Sequence, residues 1–217
     1  MILTDPSSAE QVRVGKVLCI GRNYAQHAAE MNATVPKQPI IFLKPSTAII
    51  RMPDSIRLPS MTSNVHHEVE LVAMIGRSGR DIPLNRSLEY VTAYAIGLDM
   101  TARDLQSEAK RRGKPWSVAK GFDTFAPLGE LVSAAEIGDP QQLKLTLNVN
   151  GVTRQHGDTQ DMIFSVAHLI SYCSQIFTLE HGDLLYTGTP EGVGPVVKGD
   201  QLEAICDPLP PLTVTVV

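Results

Sequence analysis

The sequence predicts an α+β fold built on a mixed β-sheet, and three observations predict it. Segments with strand character outnumber those with helical periodicity, and the two kinds do not alternate as a doubly wound fold requires. Gly and Pro are scattered along the whole chain, as they are where many short strands are joined by tight turns. Asn150-Gly151 separates two apolar, β-rich segments, and Asn-Gly supplies the positive φ angles that a type I′ hairpin turn needs. No repeat or linker-like stretch divides the 217 residues, so 1–217 reads as one domain.

The elements follow in order. VLCI at 17–20 is a strand. NYAQHAAEMN at 23–32 is a helix, with Asn23 as N-cap, Gln26 three residues later and Asn32 at its close. IIFL at 40–43, the run 68–75 and AYAIGLDM at 93–100 are strands. Residues 101–112 form a second helix, with Thr101 and Asp104 as capping box and Gly113 just past the end. The hairpin around Asn150-Gly151 comes next. A third helix spans 161–176, with Met162, Val166, Leu169 and Cys173 on one stripe. LLYTG at 184–188, QLEAI at 201–205 and LTVTVV at 212–217 complete the strands.

Composition narrows the function. Apolar residues make up 43%, enough for a core, and the net charge of −4 offers no basic surface for nucleic acid. The densest basic cluster, KRRGK at 110–114, is short; Lys110, Arg111 and Arg112 suit a helix C-terminus, where cations are favoured. Three cysteines without a CxxC pair fit reduced thiols and a cytoplasmic location. Neither a signal or transit pattern nor a membrane-spanning run is expected.

The chemistry-bearing stretch is VHHEVEL at 65–71. In an extended strand Glu68 and Glu70 share a face, and like charges there need a compensating partner. Asp99, at a strand end in GLDMTARD, makes a third carboxylate; an all-oxygen set of this kind suits Mg²⁺, Mn²⁺ or Ca²⁺ rather than zinc. The alternative is that the two glutamates are the wet face of a half-exposed strand. His66 lies on the same face and, with His67, reads as structural or as a neighbour of the ligands. His27 and Glu30 share a helix face, the arrangement of a base oriented by a carboxylate, although such pairs are often idle on surfaces. Lys120 sits among apolar residues in WSVAKGFD, and Arg103 follows Asp99 closely enough to meet an anionic substrate. YTGTPEGVGP at 186–195 lacks a nucleotide-loop pattern; it either grips a carboxylate or is a tight turn.

In their order, GRNYAQHAAEMN, IFLKPSTAI, VHHEVEL, LDMTARDLQ, KPWSVAKGFD, YTGTPEGVGP and KGD resemble the fumarylacetoacetate hydrolase family. The likeness is strongest to its small members, the acylpyruvate hydrolases that also decarboxylate oxaloacetate. It covers about residues 15–217 and leaves 1–15 as a lead-in. The resemblance implies a rolled mixed β-sheet with a few flanking helices, a homodimer, and one divalent cation per subunit, Mg²⁺ first. It makes Glu68, Glu70 and Asp99 the metal ligands, His27 and Glu30 the water-activating pair, and Lys120 the lysine beside the metal. Arg22, Arg103, Gln106 and Thr189 would hold a small 2-oxo acid.

The reaction implied is cleavage of an acylpyruvate, such as fumarylpyruvate or acetylpyruvate, to pyruvate and a carboxylic acid. His27 activates the water, and the pyruvate enolate is the leaving group. Oxaloacetate decarboxylation would use the same enolate without the water. Competing readings are isomerisation or decarboxylation of an oxo-dienedioate in aromatic catabolism, a non-catalytic metal-binding protein, and a non-haem iron oxygenase with His66 as ligand.

Overall fold

The computed structural model describes residues 1–30 and 34–217. A hairpin of β1 (Ile2–Thr4) and β2 (Gln11–Arg13) precedes β3 (Val17–Gly21), α1 (Ala25–Glu30) and β4 (Ile40–Lys44). Next come β5 (Val65–His67), β6 (Val69–Ile75) and β7 (Val91–Leu98), then α2 (Arg103–Arg111) and α3 (Ser117–Lys120). The C-terminal part holds β8 (Lys144–Val149), β9 (Val152–Asp158), α4 (Val166–Ile176), β10 (Leu184–Tyr186), β11 (Gln201–Cys206) and β12 (Leu209–Thr215).

The central sheet runs Val132–Ser133, β7, β6, β10, β3, β4. It is mixed, because β10 pairs parallel with β3 and antiparallel with β6. An antiparallel sheet of β9, β8, β11 and β12 packs against it. Alternation along the strands divides the interior into two cores, since successive side chains point to opposite faces. In β6, Val69, Leu71, Ala73 and Ile75 enter the larger core, joined by Leu145, Leu202 and Leu212 of the second sheet and Leu169 of α4. Val72 and Met74 face the smaller core with Cys19, Ala95 and Tyr186. The α+β class and mixed sheet expected from the sequence are therefore present. The β8–β9 turn has φ of 52° at Asn150 and 76° at Gly151, the left-handed pair an Asn-Gly hairpin requires.

Three helix boundaries differ from the sequence reading. Asn23 is not an N-cap: it is buried, its amide donates to the Phe164 and Thr187 carbonyls, and its oxygen accepts from Phe164 N. Closure of that helix at Asn32 lies outside the described residues. Thr101 and Asp104 form no capping box, because Thr101–Ala102 is a short strand paired with β5, and Asp104 accepts instead from Thr62 and Ser63. The third helix starts at Val166 with Ser165 as its cap; Met162 is buried outside it, after a single 3₁₀ turn.

Candidate metal centre and active site

The strand expected at 68–75 runs unbroken over Val69–Ile75, with Glu68 just outside its start. Glu68 is the one residue between β5, which belongs to a three-stranded sheet, and β6, which belongs to the central one. The register pairs Val69 with Leu98, and Asp99 N donates to Glu68 O at 2.8 Å, so Glu68 and Asp99 become cross-strand neighbours. Glu70 lies one residue into β6, on the face of the smaller core. The carboxylates of Glu68, Glu70 and Asp99 each offer an oxygen within 4.8 Å of the others, and the three residues are 5%, 1% and 1% exposed. That burial rules out the wet-face alternative.

Cations gather on one side of this triad. Lys120 Nζ donates to Glu68 at 2.8 Å and to Asp99 at 2.5 Å, and Arg103 donates to Glu68 at 2.5 Å. Burial opposes ionisation of Glu68, but Lys120 and Arg103 outweigh it and hold the carboxyl well below its usual range. Burial likewise opposes the charge on Lys120, and Asp99 and Glu68 overcome it, so its ammonium is held above the ordinary lysine range. Glu70 is the reverse case. Burial, then Asp99 and Glu68, push its carboxyl well above the usual range, and its contact is the Gly188 N–H, at 2.8 Å.

Lys44 was not foreseen as a site residue. It is buried, and its Nζ lies 2.7 Å from Asp99 Oδ1 while donating to the Met100 and Lys120 carbonyls. The contact with Asp99 is one of charge without hydrogen-bond alignment, which leaves Asp99 Oδ1 a buried acceptor with no donor. An orphan carboxylate oxygen, a carboxyl strained by its neighbours and an all-oxygen donor set together fit a hard divalent cation. Neither His66 nor His67 joins the cluster: His66 contacts Asn64, and His67 contacts Gln155. A two-histidine iron site is thereby excluded among the described residues.

A small cavity of about 30 Å³, room for a water or two, opens beside the triad. Arg22, His27, Arg103, Gln106, Lys120 and Thr189 all line it, so the topology brings the expected residues together. His27 Nδ1 lies 3.3 Å from Glu30 Oε2, and a carboxylate only accepts, so Nδ1 carries the proton and Nε2 keeps a lone pair. Burial lowers the His27 pKa below its ordinary 6.5 despite Glu68 and Glu30. Gln106 Oε1 accepts from Arg103, and Thr189 Oγ1 accepts from Gln155, which leaves the Gln106 amide and Thr189 hydroxyl protons available. Arg22 has a φ of 59°, an unusual left-handed backbone for arginine at the end of β3.

The Gly-rich loop after β10 does grip carboxylates, but those of the protein. Gly188 N holds Glu70, and Gly192 N contacts Glu30 at 3.1 Å. Gln155, 1% exposed, ties this loop to the ligand strand: its oxygen accepts from Val69 N and His67, and its amide donates to Thr189 and Pro190 O. Lys110 also faces the cavity, which the reading of KRRGK as a plain helix end did not anticipate; Arg111 and Arg112 do pair with Glu108 there.

Fold and site together define a carboxylate-based centre for a divalent cation beside a histidine–glutamate pair. Residues 16–217 match the model of the fumarylacetoacetate (FAA) hydrolase C-terminal family, and the chain belongs to that family. It is 51% identical over 189 residues to oxaloacetate tautomerase FAHD1, mitochondrial, of Arabidopsis thaliana, covering 87% of this chain and 85% of that protein. The structure of fumarylpyruvate hydrolase from Pseudomonas aeruginosa, in complex with Mn²⁺ and pyruvate, superimposes with a TM-score of 0.95. It is 44% identical, covering 100% of this chain and 95% of that one. A 5-carboxymethyl-2-hydroxymuconate delta-isomerase from Mycobacterium smegmatis is 42% identical with a TM-score of 0.84, covering 94% and 79%. No helix among the described residues is long and apolar enough to cross a membrane.

Proposed function

We propose that the protein is a divalent-cation-dependent hydrolase of acylpyruvates, releasing pyruvate and a carboxylic acid, with fumarylpyruvate as the type of substrate. The observation that carries this reading is His27, paired with Glu30, opening onto the same cavity as Glu68, Glu70 and Lys120. Glu68, Glu70 and Asp99 would hold the cation, taken here as Mg²⁺ with Mn²⁺ able to replace it, and it would polarise the 2-keto group and offset developing negative charge.

The chain's own residues do the rest. Glu30 orients His27 through Nδ1–H, and Nε2 takes a proton from water as the oxygen adds to the distal acyl carbon. The bond from that carbon to C3 then breaks, its electron pair leaving as the enolate of pyruvate, and the His27 proton returns to C3. Lys120 has used two of its three N–H protons on Glu68 and Asp99, which leaves one for an enolate oxygen. The amide of Gln106, the hydroxyl of Thr189 and the guanidinium of Arg103 hold the 2-oxo-acid end. An open apolar groove of about 560 Å³ shares Phe42 and Trp116 with the cavity and supports an approach from that side.

A second reading is favoured by the 51% identical relative: keto–enol tautomerisation of oxaloacetate, or its decarboxylation. Both need a proton carrier and an enolate site but no water. A homodimer is part of the proposal, supported by β4 at the sheet edge with Leu43 exposed beside the groove. Three free buried cysteines support a reducing compartment such as the cytoplasm.

The test is pyruvate release from fumarylpyruvate, acetylpyruvate and oxaloacetate with Mg²⁺, with Mn²⁺ and with EDTA, alongside the decay of enol-oxaloacetate absorbance. Cation-dependent release from an acylpyruvate is expected. Enol decay without release from either acylpyruvate would replace the hydrolase reading with the tautomerase one.

A further inference from the structure

The cations around the site fall into two groups. Lys44, Lys120 and Arg103 each contact Glu68 or Asp99 directly, so each already has an anion paired to it. Arg22 and Lys110 line the same cavity and form no ion pair with any acid among the described residues. Glu68 and Glu70 line the same space but neither forms an ion pair with Arg22 or Lys110, and the mutual repulsion of two such cations is unfavourable unless a further anion arrives.

Lys110 is on the site side of α2. Arg103, Gln106 and Lys110 are spaced i, i+3 and i+7, which places them on one helix face. A helix rises 1.5 Å per residue, so Lys110 stands about 6 Å beyond Gln106 and about 10 Å beyond Arg103 along the axis. Those spacings bracket the distance between the two carboxylates of an extended seven-carbon dicarboxylate such as fumarylpyruvate, and exceed that of a four-carbon one. Although Lys110 as a whole is exposed, its ammonium lies 5.3 Å from the centre of the Trp116 ring, which borders the cavity. Burial and then the charges of Arg103 and Arg22 push its pKa down to about 8, and Glu68 offsets them only in part.

We infer that Lys110, with Arg22, receives the second carboxylate of a dicarboxylic 2-oxo acid, at the end opposite the one held by Arg103, Gln106 and Thr189. Lys110 is thus a specificity-determining residue that favours fumarylpyruvate over acetylpyruvate, which has no distal carboxylate. The inference rests on the 2-oxo acid reading and names the substrate class within it.

The experiment has two arms. In the first, kcat/KM is measured for fumarylpyruvate and acetylpyruvate in the wild type, Lys110→Met and Lys110→Arg. Lys110→Met should raise KM for fumarylpyruvate about 10- to 100-fold, the worth of a charge-assisted hydrogen bond, and leave acetylpyruvate within about 2-fold. Lys110→Arg should retain most of the preference. In the second arm, binding of 2-oxoheptanedioate and of 2-oxoheptanoate is measured calorimetrically with Mn²⁺ present. The wild type should favour the dicarboxylate, and Lys110→Met should erase the difference. Equal losses for both substrates, no loss for either, or no dicarboxylate preference in the wild type would overturn the inference. If the wild type releases pyruvate from neither substrate, the hydrolase reading fails on its own and the binding arm still decides this one.

Discussion

Glu70→Gln separates the metal-binding role of the triad from its structural one. Two unit charges 4.8 Å apart repel by roughly 3.5 kcal/mol at an effective dielectric constant near 20, and Glu70 faces two such neighbours without a cation of its own. Without metal, its carboxyl resists ionisation, and glutamine is the neutral isostere. The amide oxygen can still accept from Gly188 N, so the metal-free variant should be no more than about 1 kcal/mol less stable than the wild type at pH 6. The raised carboxyl carries a pH consequence. Unfolded Glu70 ionises near pH 4.3 while the folded group holds its proton, so the metal-free wild type loses stability as pH rises from there toward the folded value. The variant lacks that loss and should be the more stable of the two at pH 8 without metal. With Mn²⁺ at about 100 times its Kd, the wild type gains about 2.7 kcal/mol, a rise of roughly 5–11 °C in Tm for a chain of this size. Glu70→Gln should gain less than about 2 °C. The assay is thermal unfolding with and without Mn²⁺ at pH 6 and pH 8. A variant that keeps the full Mn²⁺ shift, or that loses several kcal/mol without metal, would refute the reasoning.

Two further outcomes follow from the same geometry. His27 works as a base only when neutral, and its pKa is below 6.5, so kcat/KM should fall only below that pH. Glu30→Gln removes a group that raises this pKa, so its pH–rate profile should show the acid limb displaced downward together with a lower kcat; an upward displacement contradicts the orientation given to the pair. Gly188 has a φ of 99°, and a Cβ there would lie 2.5 Å from Asn23 Cβ. Gly188→Ala should therefore cost at least about 2 kcal/mol and weaken Mn²⁺ binding, both read from the same melts, because the Gly188 N–H positions Glu70.

Much of the site was legible because the metal-binding carboxylates sit in a short local pattern. Two glutamates two residues apart in an apolar run cannot be explained by packing alone, and the LDMTARD strand end supplies the third acid. What local pattern could not show was Glu68 lying at a break between two sheets, since that depends on which strands β5 and β6 each choose as partners. Asn23, Thr101 and Asp104 looked like helix caps because their residue types favour caps, but tertiary partners outbid local hydrogen bonding in each case. Lys44 was hidden at the end of a strand run, where one lysine looks like an exposed terminus. The available signal was its place directly after IIFL. Lys110 was hidden by its basic neighbours, although its spacing of seven from Arg103 already placed it on the site face. Gln155 reads as an ordinary strand residue until the loop carrying Thr189 folds against it.

The most direct test of the account is the rate of pyruvate release from fumarylpyruvate by His27→Ala at saturating Mn²⁺, beside the wild type with Mn²⁺ and with EDTA. Cation-dependent release by the wild type is the expected result. His27→Ala should be slower by about 10²- to 10⁴-fold while keeping the Mn²⁺-induced rise in Tm, because the base is lost and the ligands are not. Release at the wild-type rate by His27→Ala, or undiminished release in EDTA, would contradict it.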